Sequence, residues 1–308
     1  MTDISAIPLI LNATISSDLD VIGDRWTLLI LRDLFLGRTR FESLRTHTGA
    51  SKATLSRRLE TLIQIDVVKR QQLNPNNKHF DYLLTAKGVK LFSASILAWR
   101  WESQWLTTDI ESSLPTTLLH TTCGQPLIPE TVCAHCNEVV KFDEVKWHTT
   151  DESFKHQLQV IQSANKMRRV RNSQTSALDN RMAGISDLIG DRWTLLILIA
   201  SFMGAKRNYE FSKYLNIASN ILSQRLSMLV SEQMFEKTAY QQNPPRYEYL
   251  LTEKSKALFP LVMILRQWAI DFHPIPESLE HASCGAQLRL SVNCSACKTP
   301  IKPQDINI

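Results

Sequence analysis

All six cysteines of the chain fall into two groups that share residue types and spacing. A gap of two residues between ligands lets a tight backbone turn place both on one metal ion. Three thiolates and one imidazole complete a tetrahedron without an open position, which is typical of a structural zinc site. The sequence therefore predicts two structural Zn²⁺ sites, one within each group. The groups are His120, Cys123, Cys133 and Cys136, and His281, Cys284, Cys294 and Cys297.

Other uses of these thiols are a redox or electrophile sensor that works without metal, free structural cysteines, or another metal. His79 and His135 are expected to face solvent rather than to bind metal. The N-terminus lacks the basic region of a secretory signal, and the longest apolar runs are too short to cross a bilayer. We therefore expect a cytoplasmic protein without a membrane partner, and in the cytoplasm disulfides rarely persist.

The segment GDRWTLLIL occurs twice, at 23–31 and at 190–198. The same register matches Leu55-Ser56 with Leu222-Ser223 without a gap, whereas Cys123 matches Cys284 with six fewer intervening residues. The 308 residues therefore contain two tandem copies of one domain of about 125 residues. The stretch between the copies includes a basic patch, KMRRVRNSQTS, which we interpret as a solvated linker or as a linker that touches phosphates.

Each copy has the pattern helix, helix, helix, hairpin, helix. The third helix buries a leucine stripe at Leu55, Leu59 and Leu62 and leaves a short polar face outside. This order predicts a mainly α fold with small β hairpins, in which two winged helix-turn-helix domains each carry a small zinc ribbon. The predicted boundaries are 1–112 and 181–273 for the winged helices, 113–145 and 274–308 for the ribbons, and 146–180 for the linker.

The polar face of the third helix suits a DNA major groove, because short side chains let the backbone approach the bases. Lysine and arginine on that face can reach guanine edges or phosphates, and the hairpin tip can lie along the backbone. Arg58 and Arg225, at the edge of the stripe, would brace phosphates or the helix itself. The candidate DNA-binding residues are Ser51, Lys52, Thr54, Ser56, Arg57, Arg58, Asn77, Lys78, Ser219, Asn220, Ser223, Gln224, Arg225 and Arg246.

The chain resembles the HxlR-type winged-helix transcriptional regulators over about 85 residues of each copy. The segments that carry the resemblance are GDRWTLLILRDLFLG, RFESL, TLSRRLETLI and DYLLTAKG in the first copy, and GDRWTLLIL, ILSQRL, PPRYEYLLTEKS and RQWA in the second. The resemblance implies a regulator, most simply a repressor, that binds double-stranded operator DNA through two recognition helices, with the two copies forming a covalent pseudo-dimer. Further dimerisation of the chain stays open.

The chain also departs from this family. Many redox-sensing members carry a cysteine just ahead of the first helix, where Ala13 and Asn180 stand here. The second copy lacks counterparts of Lys52 and Arg57, so the copies are expected to read different half-sites or to bind with different strength.

Two other functions remain open at this point. A protein-interaction scaffold could be built from the same modules, and a small-molecule effector could bind between the copies. Trp99, Trp101 and Trp105 would line such a pocket or, as the alternative, form interface core. A net charge of +5 is compatible with DNA binding without requiring it. A Gly-rich phosphate loop is missing and the repeated Asp24 and Asp191 stand in first helical turns, so the sequence does not indicate an enzyme.

Overall fold

A computed structural model of the chain describes residues 21–72, 79–106, 114–148, 181–272 and 278–307. The chain divides into two compact units, and each unit draws on both sequence copies. Within the described residues, the first unit comprises 21–130, 181–191 and 292–307, and the second comprises 131–148 and 192–291.

The first copy folds as the predicted winged helix-turn-helix. Its elements are α1 (Arg25–Phe35), α2 (Phe41–Thr48), α3 (Lys52–Gln64), β1 (Val68–Gln71), β2 (Asp81–Leu84), α4 (Ala86–Val89) and α5 (Phe92–Trp105). Side-chain oxygens of Asp24, Ser51 and Thr85 accept backbone N–H bonds at the starts of α1, α3 and α4. Gly49 ends α2 at φ +71°, a left-handed conformation that glycine adopts without steric cost and that turns the chain into α3.

The second copy repeats this order. Its elements are α6 (Ala183–Ile189), α7 (Arg192–Phe202), α8 (Asn208–Leu215), α9 (Ser219–Ser231), β7 (Phe235–Gln241), β8 (Arg246–Leu251), α10 (Glu253–Lys256) and α11 (Phe259–Phe272). The antiparallel hairpin β7–β8 is longer than β1–β2. Mainly helical copies with small hairpins are the fold class that the sequence predicts.

The leucine stripe of the third helix is the centre of each core. Leu55, Leu59 and Leu62 are at most 1% exposed, and their counterparts Leu222, Leu226 and Leu229 are fully buried. Side chains at i, i+4 and i+7 lie on one face of a helix, so burying them turns the opposite face outward. The predicted period therefore fixes which side of α3 and α9 is free to meet a partner.

The C-terminal segments combine residues from the two copies. Their remaining elements are β3 (Leu119–His120), β4 (Gln125–Pro126), β5 (Pro129–Cys133), β6 (Val145–His148), β9 (Ser278–His281), β10 (Leu290–Cys294) and β11 (Ile306–Asn307). In the first unit β11 pairs with β3, and in the second unit β6 pairs with β9. Each winged helix is thus joined to the last strand of the other copy, and the compact units do not follow the boundaries predicted from the sequence.

Helix α6 belongs to the second copy in sequence, yet it packs on α1 and α5 in the first unit. Glu102 of α5 is fully buried and accepts hydrogen bonds from the backbone N–H groups of Met182 and Ile185 at the start of α6. Burial raises the pKa of Glu102, although these two donors favour its ionised form. Arg25 of α1 also forms an ion pair with Asp187 of α6. Polar groups and packing therefore both hold α6 on the first copy.

Gly190 lies where α6 ends against α1. A Cβ at this position would lie 2.3 Å from the carbonyl oxygen of Ser186 and 2.6 Å from the backbone nitrogen of Arg25. Backbone atoms cannot move aside cheaply, so only glycine fits this contact.

None of the helices in the described part of the chain has the length and apolar character needed to cross a membrane.

We predict that Gly190→Ala destabilises the first unit by about 1–3 kcal/mol, because the added methyl group overpacks a contact between backbones. Gly184→Ala is the graded control, since its Cβ would meet the flexible end of the Leu106 side chain at 2.5 Å. Urea unfolding followed by circular dichroism measures both variants. Equal midpoints for Gly190→Ala and the wild type would contradict the close approach of α6 to α1.

Candidate metal centres and nucleic-acid interface

The first cluster of metal-ligand side chains lies in the first unit and contains His120, Cys123, Cys294 and Cys297. His120 Nδ1 lies 3.3 Å from the Sγ atom of Cys123 and 3.4 Å from that of Cys297. The Sγ atoms of Cys123 and Cys294 are 4.0 Å apart. The four candidate ligand atoms therefore enclose one small volume.

The second cluster lies in the second unit and contains Cys133, Cys136, His281 and Cys284. His281 Nδ1 lies 3.4 Å from the Sγ atoms of both Cys136 and Cys284, and the Sγ atoms of Cys133 and Cys284 are 4.0 Å apart. The nitrogen–sulfur and sulfur–sulfur distances agree between the two clusters, although the clusters consist of different segments of the chain.

These distances fit a tetrahedral zinc ion. Bond lengths of about 2.3 Å to sulfur and 2.0–2.1 Å to nitrogen give tetrahedral edges of roughly 3.8 Å between sulfurs and 3.6 Å between sulfur and nitrogen. All ligand atoms within each cluster lie within 4.8 Å of one another. The sulfurs are too far apart for disulfides, whose bond length is about 2.05 Å, and all six cysteines are free.

Tight turns of the backbone place the ligands in pairs. The N–H groups of Gly124 and Gly285 donate to the carbonyl oxygens of His120 and His281 at 2.7 and 2.8 Å. Both glycines have φ +68°, a conformation that a side chain would strain. Equivalent hydrogen bonds of 2.8 Å close the turns of the Cys-x-x-Cys pairs. The Asn137 N–H donates to the carbonyl oxygen of Cys133, and the Lys298 N–H donates to that of Cys294.

One thiol in each cluster has a lowered pKa. Hydrogen bonds from Thr299, from its side chain and its backbone, lower the pKa of Cys297 to about 6. Burial alone would raise the pKa of Cys133, but N–H groups of Cys136 and His135 donate to it and the net direction is downward. In the same clusters, burial and hydrogen bonds with neighbouring cysteines raise the pKa of Cys123 and Cys136. Since metals bind the thiolate, the donors to Cys297 and Cys133 favour ligation by these two residues.

Both imidazoles have a buried Nε2 atom that lacks a hydrogen-bond partner among the described residues. Glu144 Oε2 lies 4.0 Å from Nε2 of His281, beyond hydrogen-bond distance. An imidazole that used Nδ1 as a ligand would carry its proton on Nε2, and Glu144 is the nearest charged group to receive it. The donor set and these orphaned atoms fit a bound metal ion.

The predicted composition of the two sites is wrong, although all eight predicted ligands come together. The sequence suggested one site within each copy, whereas each cluster combines a His-x-x-Cys pair from one copy with a Cys-x-x-Cys pair from the other. The two arrangements have identical spacing within each pair. Spacing along the chain therefore identifies the ligands but not which pairs meet.

The predicted DNA-facing side of α3 is exposed. Lys52 and Arg57 are exposed, and Thr54 and Ser56 are half-buried. Ser51 is exposed, but its hydroxyl oxygen caps α3 by accepting from the Thr54 N–H at 3.2 Å, which limits its freedom to bind DNA.

Arg58 is buried, at 8% exposure, and its assignment as a DNA contact is wrong. Its Nη2 lies 2.6 Å from Oδ2 of Asp24, whose other oxygen accepts from the Trp26 N–H at the start of α1. The guanidinium thus ties α3 to the scaffold helix behind it. Sequence reasoning offered bracing of the helix as the alternative, and the geometry agrees with that alternative.

The corresponding face of α9 is also exposed, but it is uncharged. Ser219, Asn220, Ser223 and Gln224 are all exposed, and Arg225 is half-buried.

The hairpins add basic groups beside these helices. Lys69 and Arg70 on β1 are exposed, and Arg70 stacks 3.7 Å from the ring centre of Phe80. On the longer hairpin Lys237 and Arg246 are exposed, and Lys237 stacks on Tyr247. Sequence reasoning named only Arg246 among these four. Apart from their first residues, β1 and β7 consist almost entirely of exposed residues, so no alternation of buried and exposed positions marks the other three.

A carboxylate in each hairpin pairs with an arginine of the helical part, and in the first copy this carboxylate is buried. Asp81 at the start of β2 is 2% exposed, and its Oδ1 accepts from the Thr39 hydroxyl at 2.6 Å and pairs with Arg40 at 2.8 Å. In the second copy Arg207 pairs with Glu248 of β8 at 2.7 Å.

Several predicted features lie outside the described residues. These are Asn77 and Lys78 at the first hairpin tip and the basic patch at 166–176. Of the aromatic cluster on α5, Trp99 and Trp101 are buried and Trp105 is half-buried.

Comparison with known proteins gives a consistent assignment for both copies. A family model described as HxlR-like helix-turn-helix matches residues 21–110 and again residues 188–275. An HTH-type transcriptional regulator of Mycobacterium bovis is 36% identical over 140 residues, which cover 42% of this chain and 89% of that protein. The Bacillus subtilis regulator YvaP is 33% identical over 87 residues, or 28% of this chain and 81% of its own length.

Solved structures give weaker geometric matches. A crystal structure described as a candidate transcription factor is 34% identical, covers 41% of this chain and 91% of its own, and has a TM-score of 0.37. A second, from Pseudomonas aeruginosa, is 26% identical with a TM-score of 0.33 and covers 40% of this chain and 86% of its own.

We predict that Arg58→Met destabilises the first unit by about 3 kcal/mol, because it leaves the Asp24 carboxylate without its buried partner. Arg57→Met, one residue along the same helix but exposed, is the control and should change stability by less than about 0.5 kcal/mol. Chemical unfolding monitored by tryptophan fluorescence distinguishes the two variants. Equal stability of both would place Arg58 outside the core.

Proposed function

The chain belongs to the HxlR-like helix-turn-helix family, and from this premise we propose that it is a transcriptional regulator that binds operator DNA through both copies. The observation that carries the proposal is the orientation of α3 and α9. Each buries its leucine stripe and exposes the face of small polar and basic residues that a DNA groove would accept.

In the first copy, α3 is placed to enter the major groove. Thr54 and Ser56 have short side chains that permit close approach of the helix to the bases, while Arg57 and Lys52 reach guanine edges or phosphates. Lys69 and Arg70 on the hairpin provide phosphate contacts beside the groove, which fix position rather than sequence. Asn77 and Lys78 belong to the same proposed contact surface.

In the second copy, the equivalent face uses amides and hydroxyls. Asn220 and Gln224 can form paired hydrogen bonds with adenine, whereas Ser219 and Ser223 accept either base type. Arg246 and Lys237 supply the phosphate contacts from the longer hairpin. Since α9 lacks the two basic residues of α3, we infer that the copies read different half-sites and that the second relies less on charge.

The asymmetry has a consequence for the operator. A homodimer with two identical recognition helices favours a palindrome, because protein and DNA share a twofold axis. Two different helices in one chain allow an asymmetric operator and fix the orientation of the protein on it. Repression is the most direct outcome, because an occupied promoter excludes other proteins.

The two cysteine-histidine clusters are proposed as structural zinc sites. Four protein ligands leave no open position for a substrate, and a closed site stabilises a segment that has too few apolar residues for its own core. The proposal includes no catalytic activity and places the protein in the cytoplasm, where its DNA target lies. Regulation by a small-molecule effector is part of the same proposal, and further association of the chain stays open.

A protein-interaction scaffold is the competing function, and the salt dependence of DNA binding separates the two. A protein that neutralises several phosphates releases counterions, so its affinity falls steeply as salt rises. A scaffold would bind duplex DNA weakly at every salt concentration.

We predict that Lys52→Ala and Arg57→Ala each weaken binding to the promoter fragment of the protein's own gene by about tenfold, since one good base or phosphate contact contributes about 1–3 kcal/mol. Fluorescence anisotropy of labelled duplex measures the affinity across a salt series. The control is Glu60→Ala, an exposed residue of the same helix whose removal deletes a negative charge and should not weaken binding.

In the second copy, Ser223→Ala with Gln224→Ala should relax sequence preference at one half-site while the salt slope stays constant, because neither side chain is charged. Wild-type affinity and selectivity in all these variants would show that the assigned faces do not meet DNA.

We predict two zinc ions per chain, and double variants decide which ligands share an ion. Cys123 and Cys294 lie in one cluster, so Cys123→Ser with Cys294→Ser should retain about one zinc per chain, because the other site is intact. Cys123 and Cys133 lie in different clusters, so Cys123→Ser with Cys133→Ser should retain almost none. Metal analysis of the purified full-length protein gives the count.

The two double variants give opposite zinc counts for sites shared between the copies and for sites formed within each copy. Sites formed within each copy would reverse the result, with one zinc in the second double variant and none in the first. Wild-type protein without zinc after purification in metal-containing medium would overturn the proposed cofactor itself.

A further inference from the structure

The first unit contains a cavity of about 60 Å³ between α1, α5 and the C-terminal segment. Its lining is mainly apolar and includes Phe35, Phe92, Ile96, Trp99, Leu118 and Pro303. Such a space holds a ligand of a few non-hydrogen atoms, since one water needs roughly 10–15 Å³ by this measure.

The second unit fills the corresponding space with a side chain. Phe142 occupies the position that Pro303 has in the first unit, at the first residue of the same short 3₁₀ turn. Its ring lies 5.7 Å from that of Phe202 and 5.4 Å from that of Phe259, and those two rings are 5.4 Å apart. At the equivalent place in the first unit, Phe35 and Phe92 pair at 5.1 Å, and Pro303 supplies no third ring.

Exposure follows the same difference. Phe202 and Val262 of the second unit are 4% and 2% exposed, whereas their counterparts Phe35 and Ser95 are half-exposed. A cleft of about 30 Å³ in the second unit has a more polar lining, which includes Gln267, Gln287 and Arg289. The apolar cavity is therefore a property of the first unit rather than of the repeated fold.

The groups around the cavity define the chemistry of a ligand. Trp99 is 6% exposed, and its indole Nε1–H has no acceptor among the described residues. The nitrogen itself is buried, so a ligand in the cavity would meet the carbon atoms of the indole ring. Arg32 also lines the cavity, but it already pairs with Asp33 at 2.9 Å and donates to the His47 carbonyl. A charged ligand is therefore not required.

We propose that this cavity is a binding site for a small, uncharged and mainly apolar organic molecule. The molecule would lie against Phe35, Phe92 and Pro303, beside the ring of Trp99. Because α1 carries the Asp24 that anchors α3 and the cavity borders α1, such a ligand would act on the scaffold behind the recognition helix. This site deepens the small-molecule regulation included in the proposed function, whereas binding at the site can be tested apart from DNA binding.

The test uses cyclopentanone as the probe and the full-length protein. Titration is followed by the indole N–H resonances in ¹H–¹⁵N NMR spectra, and the Trp99 resonance is assigned by its absence from Trp99→Phe. We expect a saturable shift of that resonance in the wild type. Pro303→Phe, which copies the filled unit, should weaken binding by at least about tenfold, because the ring takes the space of the ligand.

Two further variants keep the result interpretable. Ser95→Val copies Val262 of the second unit and should weaken binding by several-fold even if Pro303→Phe fails to fold. Gln304→Ala, an exposed neighbour of Pro303, should bind as the wild type does. A Trp99 resonance that does not move with cyclopentanone, or a shift that Pro303→Phe and Ser95→Val leave unchanged, would overturn the site. Since the readout needs no DNA, its failure is distinct from failure of the proposed function.

Discussion

The closing of each cysteine-histidine cluster is the constraint on which the architecture depends. Cys123 and Cys294 are separated by 171 residues along the chain, and Cys133 and Cys284 by 151. Bringing the ends of such a loop together costs about 4–5 kcal/mol of conformational entropy in the simple logarithmic estimate. A structural zinc ion contributes roughly 10–16 kcal/mol, so metal binding would outweigh the entropy lost in closing either loop. The last described strand of each copy pairs with the His-x-x-Cys segment of the other copy, next to one of the two clusters of four candidate ligands.

The two copies differ where their scaffold leaves freedom. The leucine stripe and the helix caps are repeated because each core requires them, whereas the outer faces of α3 and α9 carry different charges. The same holds for Pro303 and Phe142, which occupy one backbone position with different side-chain volumes. Duplication within one chain thus provides two equivalent folds whose surfaces can take different partners.

Sequence periodicity predicted the helices, the hairpins and the buried stripe, because a face that must leave water repeats at the period of its element. The types and spacing of the cysteines and histidines identified all eight candidate metal ligands. The spacing could not decide which pairs share a cluster. Exchanging the Cys-x-x-Cys pairs between the two copies leaves the spacing within every pair unchanged. Arg58 shows a second limit: an arginine at the edge of an apolar stripe is compatible with solvent, with phosphate or with a buried carboxylate, and only the position of Asp24 distinguishes them.

Two residues of the repeated nine-residue segment, one from each occurrence, meet in the first unit. Gly190, from the second occurrence of the motif, approaches the backbone of Arg25, from the first, so closely that a Cβ cannot fit. Arg25 in turn pairs with Asp187, just ahead of the second occurrence. Here the motif packs against itself, and a change in either occurrence alters one side of a shared contact. Such a segment diverges less readily than an exposed recognition face, whose partner lies outside the chain.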